Sequence, residues 1–144
     1  MTGSGSTALR IWRRQVSDAH EKEALRLEMQ LALDAKKSHL ARNEMGQFST
    51  PFPLACDIMR RIKQLWPARN ASFLEPAFGT GVFLSAFIEA FGRVPRRTLG
   101  FEIDPHYAVP AKEHWHNANV EVQCLDFLAQ KPDEAFDLLV TNPP

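Results

Sequence analysis

Two stretches of this 144-residue chain carry side chains whose types and spacing suit chemistry. The first is Glu75-Pro76-Ala77-Phe78-Gly79-Thr80-Gly81, an acid and a Gly-x-Gly turn lying between an apolar run and a helical run. Glycine there permits positive φ and lets a ligand approach the backbone closely. The N–H groups opening the next helix suit an electronegative partner. A lone Gly-x-Gly reads equally well as a structural turn, and Leu84 stands where a full dinucleotide fingerprint has its third glycine. Glu102, 21 residues past Gly81, shifts that balance. A carboxylate at this point of an α/β nucleotide site accepts both ribose hydroxyls and repels a 2′-phosphate, which favours an unphosphorylated nucleoside. Asp126 supplies a second acid, placed to reach the exocyclic amine of an adenine, with Phe127 beside it to cover the ring. The second stretch is Thr141-Asn142-Pro143-Pro144. An Asn side-chain oxygen and a Pro carbonyl are both acceptors. Consecutive prolines fix φ and bring no competing N–H, so the direction of those acceptors is rigid.

The elements that must position these residues are legible as alternating strands and helices. Ala71–Leu74 reads as a short buried strand, Glu75–Gly81 as a turn, and Val82–Phe91 as a helix with Phe83, Ala86, Phe87 and Ala90 inward. Further strands are predicted at Arg97–Phe101, Val120–Cys124 and Phe136–Val140, with a helix over Pro105–His116. This alternation predicts a parallel α/β sheet. Glu75, Glu102, Asp126 and Asn142 then all stand at carboxyl ends of strands, where open α/β sheets bind ligands. Upstream, Pro53–Leu65 is a predicted helix with Leu54, Ile58, Ile62 and Leu65 on one face. From Thr7 to about Arg42 the chain has neither Gly nor Pro, which predicts one or two amphipathic helices. Ala24, Leu27, Leu31 and Ala35 form their apolar stripe. That segment reads as a solvated helix packed on a domain; the competing reading is a basic arm drawn from Arg10, Arg13 and Arg14. Interleaved acids favour the first. Residues 1–7 are small and polar and are expected to be disordered. The expected organisation is therefore a helical segment over 1–45 and a sheet domain over 46–144. Arg93, Arg96 and Arg97 fall at the end of the sheet opposite the crevice and read as a solvated face.

In this setting the segment Phe73–Phe83 resembles the first motif of the adenine-N6 DNA methyltransferases, where an acid-Pro pair precedes the Gly-x-Gly. The resemblance implies a Rossmann-like fold and S-adenosylmethionine as cofactor. Glu75 would lie near its amino group, Ala77 and Gly79 would line its methionine portion, and Pro76 and Gly81 would be further contacts. Glu102 and Ile103 match ribose and adenine positions, and Asp126 and Phe127 match adenine positions. Gly46–Pro51 resembles the family's methionine-clamping segment, which adds Phe48, Thr50 and Pro51 to the cofactor contacts. Asn142-Pro143-Pro144 resembles the start of the family's catalytic Asn-Pro-Pro-aromatic, with Asn142 also touching the cofactor. An exocyclic aromatic amine is a poor nucleophile because its lone pair is delocalised into the ring. Accepting its two N–H bonds localises that pair and holds the nitrogen in line with the methyl. The aromatic that stacks on a base rotated out of the duplex would come next after Pro144.

Composition limits the remaining choices. Lys+Arg and Asp+Glu are 17 each, so net charge neither demands nor excludes nucleic acid. The two cysteines, Cys56 and Cys124, form no metal or disulfide pattern and read as small buried hydrophobes in a cytoplasmic protein. No signal peptide or membrane span is apparent. The expectation is the front half of a restriction-modification type enzyme, its sheet truncated after the fourth strand, acting on double-stranded DNA through a longer parent protein. Such a chain is expected to be inactive alone and to offer its N-terminal helix and open sheet edge to a partner. Two alternatives stand beside it. One is methyl transfer to a protein glutamine or a ribosomal RNA guanine. The other is an inactive fragment or interaction module.

Overall fold

The computed structural model describes residues 4–67, 70–130 and 134–143, with side chains from Asp18 onward. Four strands build one parallel sheet: β1 (Ser72–Glu75), β2 (Arg97–Phe101), β3 (Val120–Gln123) and β4 (Leu138–Leu139), in the order β3-β2-β1-β4. Every residue of β1 is buried, as befits a strand paired on both edges and covered on both faces. The chain steps outward from β1 to β2 to β3, then returns to the other side of β1 as β4. That reversal leaves a crevice between the carboxyl ends of β1 and β4, the general place for ligands in such sheets. The predicted sheet is present, with boundaries changed in three strands. β1 begins at Ser72 in place of Ala71, and β3 ends at Gln123, one residue before the predicted Cys124. Glu75 belongs to β1 instead of the turn, and β4 is shorter than predicted, although Val140 still donates to Leu74 O at 3.2 Å.

Two helices cover one face. These are α3 (Phe52–Leu65) and α4 (Val82–Phe91), whose Ala55, Met59, Phe83, Ala86 and Phe87 enclose Phe73 of β1. A third helix, α5 (Pro105–His114), extends this core through Ala111 and Trp115 to Val122 of β3. On the other face Leu74, Leu99 and Phe101 are covered by Phe127, from a single 3-10 turn (Phe127–Ala129), and by Phe136. The inward face of α4 is as predicted, apart from a half-buried Ala90. In α3 the buried residues are Ala55, Cys56 and Met59, while Leu54 and Leu65 are exposed. Proline at the helix start lets α3 begin on Phe52, one position earlier than predicted. Of the predicted face, Ile58 and Ile62 pack on the core beside Ala55, Cys56 and Met59, while the two leucines do not. Cys56 is buried as expected, but Cys124 is exposed, because β3 is an edge strand and Cys124 lies just past its end.

The first helix, α1, runs from Ser4 to Ala35, so it starts inside the segment expected to be disordered; a short α2 (His39–Glu44) follows. Its register departs most from expectation. Leu27 and Leu31 are 45% and 60% exposed, and Ala24 and Ala35 are exposed too. The buried residues are Glu23, Arg26, Gln30 and Leu33, which face α4 and α5. A charged face can be buried only when its groups find partners, and the partners here lie in the sheet domain. Arg10, Arg13 and Arg14, the basic-arm candidates, have side chains outside the described set. No helix among the described residues is long and apolar enough to cross a membrane.

Candidate functional site

Glu75 ends β1 at the crevice with 1% of its surface exposed, and its Oε2 has no hydrogen-bond partner. Burial pushes its carboxyl well above the ordinary carboxylate range; Arg26 opposes that rise and Glu102 adds to it. A buried acid with an unpartnered oxygen costs free energy in the fold, and a cationic ligand would relieve that cost. The turn that follows is fixed at several atoms. Phe78 N–H donates to Phe101 O at 2.7 Å, and Gly81 N–H donates to Phe78 O at 2.8 Å. Gly81 has φ of 86°, and a Cβ there would collide with the Trp115 indole nitrogen and the Phe78 ring. A Cβ on Gly100 would strike the same ring. Phe78, to which the sequence assigns no role, is thus the wedge on which the turn sits, and it requires glycine on both sides.

Glu102 is half-buried just beyond β2, as its spacing predicts. Its Oε2 accepts from Gly79 N–H and its Oε1 from Asp104 N–H, each at 2.9 Å. Those two bonds aim the carboxylate and leave it lone pairs for further donors. Burial raises its pKa, and the two N–H bonds moderate the rise. Asp104 caps α5 by accepting from His106 N–H at 2.9 Å, and it also binds Lys37 and Gln47. Ile103 is 55% exposed beside it, available to an adenine face. Asp126 is exposed and caps the 3-10 turn through Leu128 N–H at 2.9 Å, while Phe127 packs edge-on against Phe101 at 5.3 Å. Both follow β3 directly, with Asp126 bonded to Leu128 N–H and Phe127 packed on the core side chain Phe101.

The upstream and downstream segments meet. Asn142 Nδ2 donates to Thr50 Oγ1 at 3.2 Å, across 92 positions of sequence. The amide therefore spends an N–H on Thr50, not its oxygen. Thr50 is buried, whereas Phe48, Pro51, Asn142 and Pro143 are exposed. Pro76, Ala77 and Gly79 are half-buried along the turn, and Gly81 is buried. Pro144 lies outside the described residues. A concavity of about 350 Å³ lined by Val109, Lys112 and Gln123 runs beside β3, away from Glu75. The basic residues at the opposite end of the sheet are paired: Arg96 bridges Asp137 and Ser72, and Arg97 binds Glu134.

Sequence reasoning missed the residues that hold the turn from outside. Arg26 donates to Thr80 Oγ1 at 2.7 Å, and Thr80 Oγ1 donates to Gln30 Oε1 at 2.6 Å. Trp115 Nε1 donates to Thr80 O at 2.8 Å. In the sequence Arg26 is one charge among many on a helix, with nothing to distinguish it.

No family model matches the chain. Curated relatives do. It is 33% identical over 103 residues to the type II methyltransferase M.CvrRI of Paramecium bursaria Chlorella virus XZ-6E, spanning 72% of this chain and 25% of that protein. It is 33% identical over 104 residues to M.AccI of Acinetobacter calcoaceticus, with 72% and 18% covered. It is 47% identical over 77 residues to M.TthHB8I of Thermus thermophilus, with 53% and 16% covered. The chain thus spans a quarter or less of the length of these relatives. Among solved structures it matches a protein assigned as an RNA methyltransferase in Pyrococcus horikoshii, with TM-score 0.61, 18% identity, and 81% of this chain and 59% of that one covered. A Listeria monocytogenes protein assigned as a class I S-adenosylmethionine-dependent methyltransferase gives TM-score 0.57 at 21% identity, covering 84% and 39%. The fold is that of the class I S-adenosylmethionine-dependent methyltransferases.

Proposed function

The chain is by sequence a relative of the type II methyltransferases, and from that premise we propose that it provides the cofactor-binding portion of a site-specific DNA methyltransferase that modifies the N6 amine of adenine in a restriction-modification system. The observation that carries this reading is the Asn142–Thr50 contact, which brings the Asn-Pro segment beside the segment upstream of β1 at the sheet's switch point. The residues present fit S-adenosylmethionine. Glu75 Oε2, buried and unpartnered, suits the α-ammonium. Glu102, aimed by Gly79 and Asp104, suits the ribose diol, and its negative charge selects an unphosphorylated ribose. Bound there, the cofactor supplies an electrophilic methyl on a sulfonium.

The protein's own groups do the rest. Asn142 Oδ1 and the Pro143 carbonyl accept the two N–H bonds of the target amine and turn its lone pair toward the methyl. Because Asn142 Nδ2 donates to Thr50, its Oδ1 is left to accept from the base. Ile103, Asp126 and Phe127 bound the adenine of the cofactor, and Phe48, Pro51, Pro76, Ala77 and Gly81 complete its surroundings. The partner is double-stranded DNA, with the target base rotated out of the helix, and the setting is the cytoplasm.

Transfer of labelled methyl by the protein containing this chain, compared on duplex DNA, RNA and a glutamine-bearing peptide, tests the acceptor. Label in N6-methyladenine of DNA is expected; label only in RNA or peptide overturns the proposal. Calorimetry of the 144-residue chain with S-adenosylhomocysteine tests the pocket, with Glu75→Gln as its probe. That variant is expected to bind far more weakly yet melt a few degrees higher at pH 7. The sign follows from the raised pKa of Glu75. A raised acid's stabilisation is complete below its unfolded pKa and is lost as pH rises through the folded one. The melting difference between variant and parent should therefore vanish toward pH 4, near the ordinary carboxylate value of 4.5. Equal melting at pH 7 would show that Glu75 is not a strained acid.

A further inference from the structure

Helix α1 reaches the Gly79–Gly81 turn through two side chains, Arg26 and Gln30, and Arg26 is the charged one. Arg26 is 1% exposed, and each of its three guanidinium nitrogens is spoken for. Nε and Nη2 form a bidentate pair with Glu23 at 2.7 and 2.8 Å, while Nη1 donates to Thr80 Oγ1 at 2.7 Å. Thr80 is the middle residue of Gly79-Thr80-Gly81 and is itself buried. Its hydroxyl is gripped between Arg26 and Gln30 of α1, and its carbonyl by Trp115 at the end of α5. The neighbouring Gly79 N–H is the one that aims Glu102. A pull on Thr80 is thus transmitted within one residue to the N–H that orients the ribose-binding acid. Arg26 is also the positive group that opposes the burial of Glu75.

We propose that Arg26 is a positioning residue for the cofactor pocket: from α1 it holds the Gly79–Gly81 turn through Thr80, so that the turn meets the methionine portion and Glu102 meets the ribose. The proposal rests on the cofactor reading above. Glu23 has a supporting part. Its bidentate pair fixes the guanidinium plane, which leaves Nη1 one direction in which to donate. Lysine could not reproduce this, because an ammonium is a point donor without the fork.

A merely structural Arg26 and a positioning one are separable, because the ion pair can be replaced as a unit. Replacing both partners of a buried pair by apolar groups of similar volume restores stability. It does not restore a donor to Thr80. The experiment is calorimetric titration of the 144-residue chain with S-adenosylhomocysteine, alongside thermal melts, for Arg26→Met, Glu23→Leu/Arg26→Met, Thr80→Val and Arg26→Lys. All four are expected to bind about tenfold more weakly or worse, the worth of one charge-assisted hydrogen bond. For the double variant this loss should persist although its melting point returns close to that of the parent. Parent-like affinity in the double variant or in Thr80→Val would overturn the proposal even if Arg26→Met fails to fold. Absence of binding by the unsubstituted chain would instead overturn the cofactor reading, and the proposal with it.

Discussion

Helices α4 and α1 lie against each other and solve the same problem in opposite ways. In α4 the sequence Val-Phe-Leu-Ser-Ala-Phe-Ile-Glu-Ala-Phe is apolar nearly all round, and every residue from Val82 to Phe87 is buried. It is held by area removed from water, which needs no particular partner. In α1 the face turned to the domain is Glu23, Arg26, Gln30 and Leu33, and the leucines at 27 and 31 point away. That face is held by directed bonds, each of which needs one atom in one place. Nonspecific burial secures the sheet, and specific polar contacts set the position of the Gly79–Gly81 loop at the carboxyl end of β1. The difference assigns α4 to stability and α1 to registration.

The largest effect is expected where burial alone acts. Phe87 is 2% exposed, stacks on Phe91 with ring centres 4.3 Å apart and lies 5.8 Å from Phe73. Phe87→Ala should cost about 3–5 kcal/mol in urea unfolding, the sum of lost transfer energy and a cavity that neighbours fill incompletely. A loss below about 1 kcal/mol would mean that α4 repacks freely and that its burial does not secure the sheet.

The α1 pair comes next. Arg26→Met alone leaves Glu23 without its partner in a site where its side chain is only 12% exposed, so a loss of about 3 kcal/mol, the low end for a broken buried pair, is expected. Glu23→Leu/Arg26→Met should recover most of that loss. Additive losses in the double variant would show that the two charges act independently, and the contrast between the helices would then fail. Equal losses for the single and the double would place the cost in the bond to Thr80 instead.

How far these features were legible follows the same division. The strand–helix alternation and the inward face of α4 could be read directly, because apolar periodicity reports burial without reference to any other segment. The positions of Glu102 and the glycine turn at strand ends were legible by residue type and spacing, whereas Glu75 was singled out by resemblance and lies in β1, not in the turn. The α1 register was not, because a charged face is buried only on account of Thr80, 54 positions away from Arg26. An apolar stripe of Ala24, Leu27, Leu31 and Ala35 satisfies the helical period equally well and gives the opposite answer. The meeting of Thr50 and Asn142 had no local signature either; resemblance supplied its two halves, and the fold brings them into contact. Phe78 was hidden differently, since its role depends on Gly100 in another strand having no side chain.

The smallest effect tests the outer side of α1. Leu31 is 60% exposed, so Leu31→Gln gives up little burial and exchanges residues of nearly equal helix propensity. Stability should change by less than about 0.5 kcal/mol, and the melting point should not depend on protein concentration in parent or variant. A loss above about 2 kcal/mol would mean that Leu31 is covered in solution. If the parent's melting point then rose with concentration and the variant's did not, the cover would be a second copy of the chain. In that case α1 would be held by burial on one side and by directed bonds on the other, and its likeness to α4 would be greater than its inner face suggests.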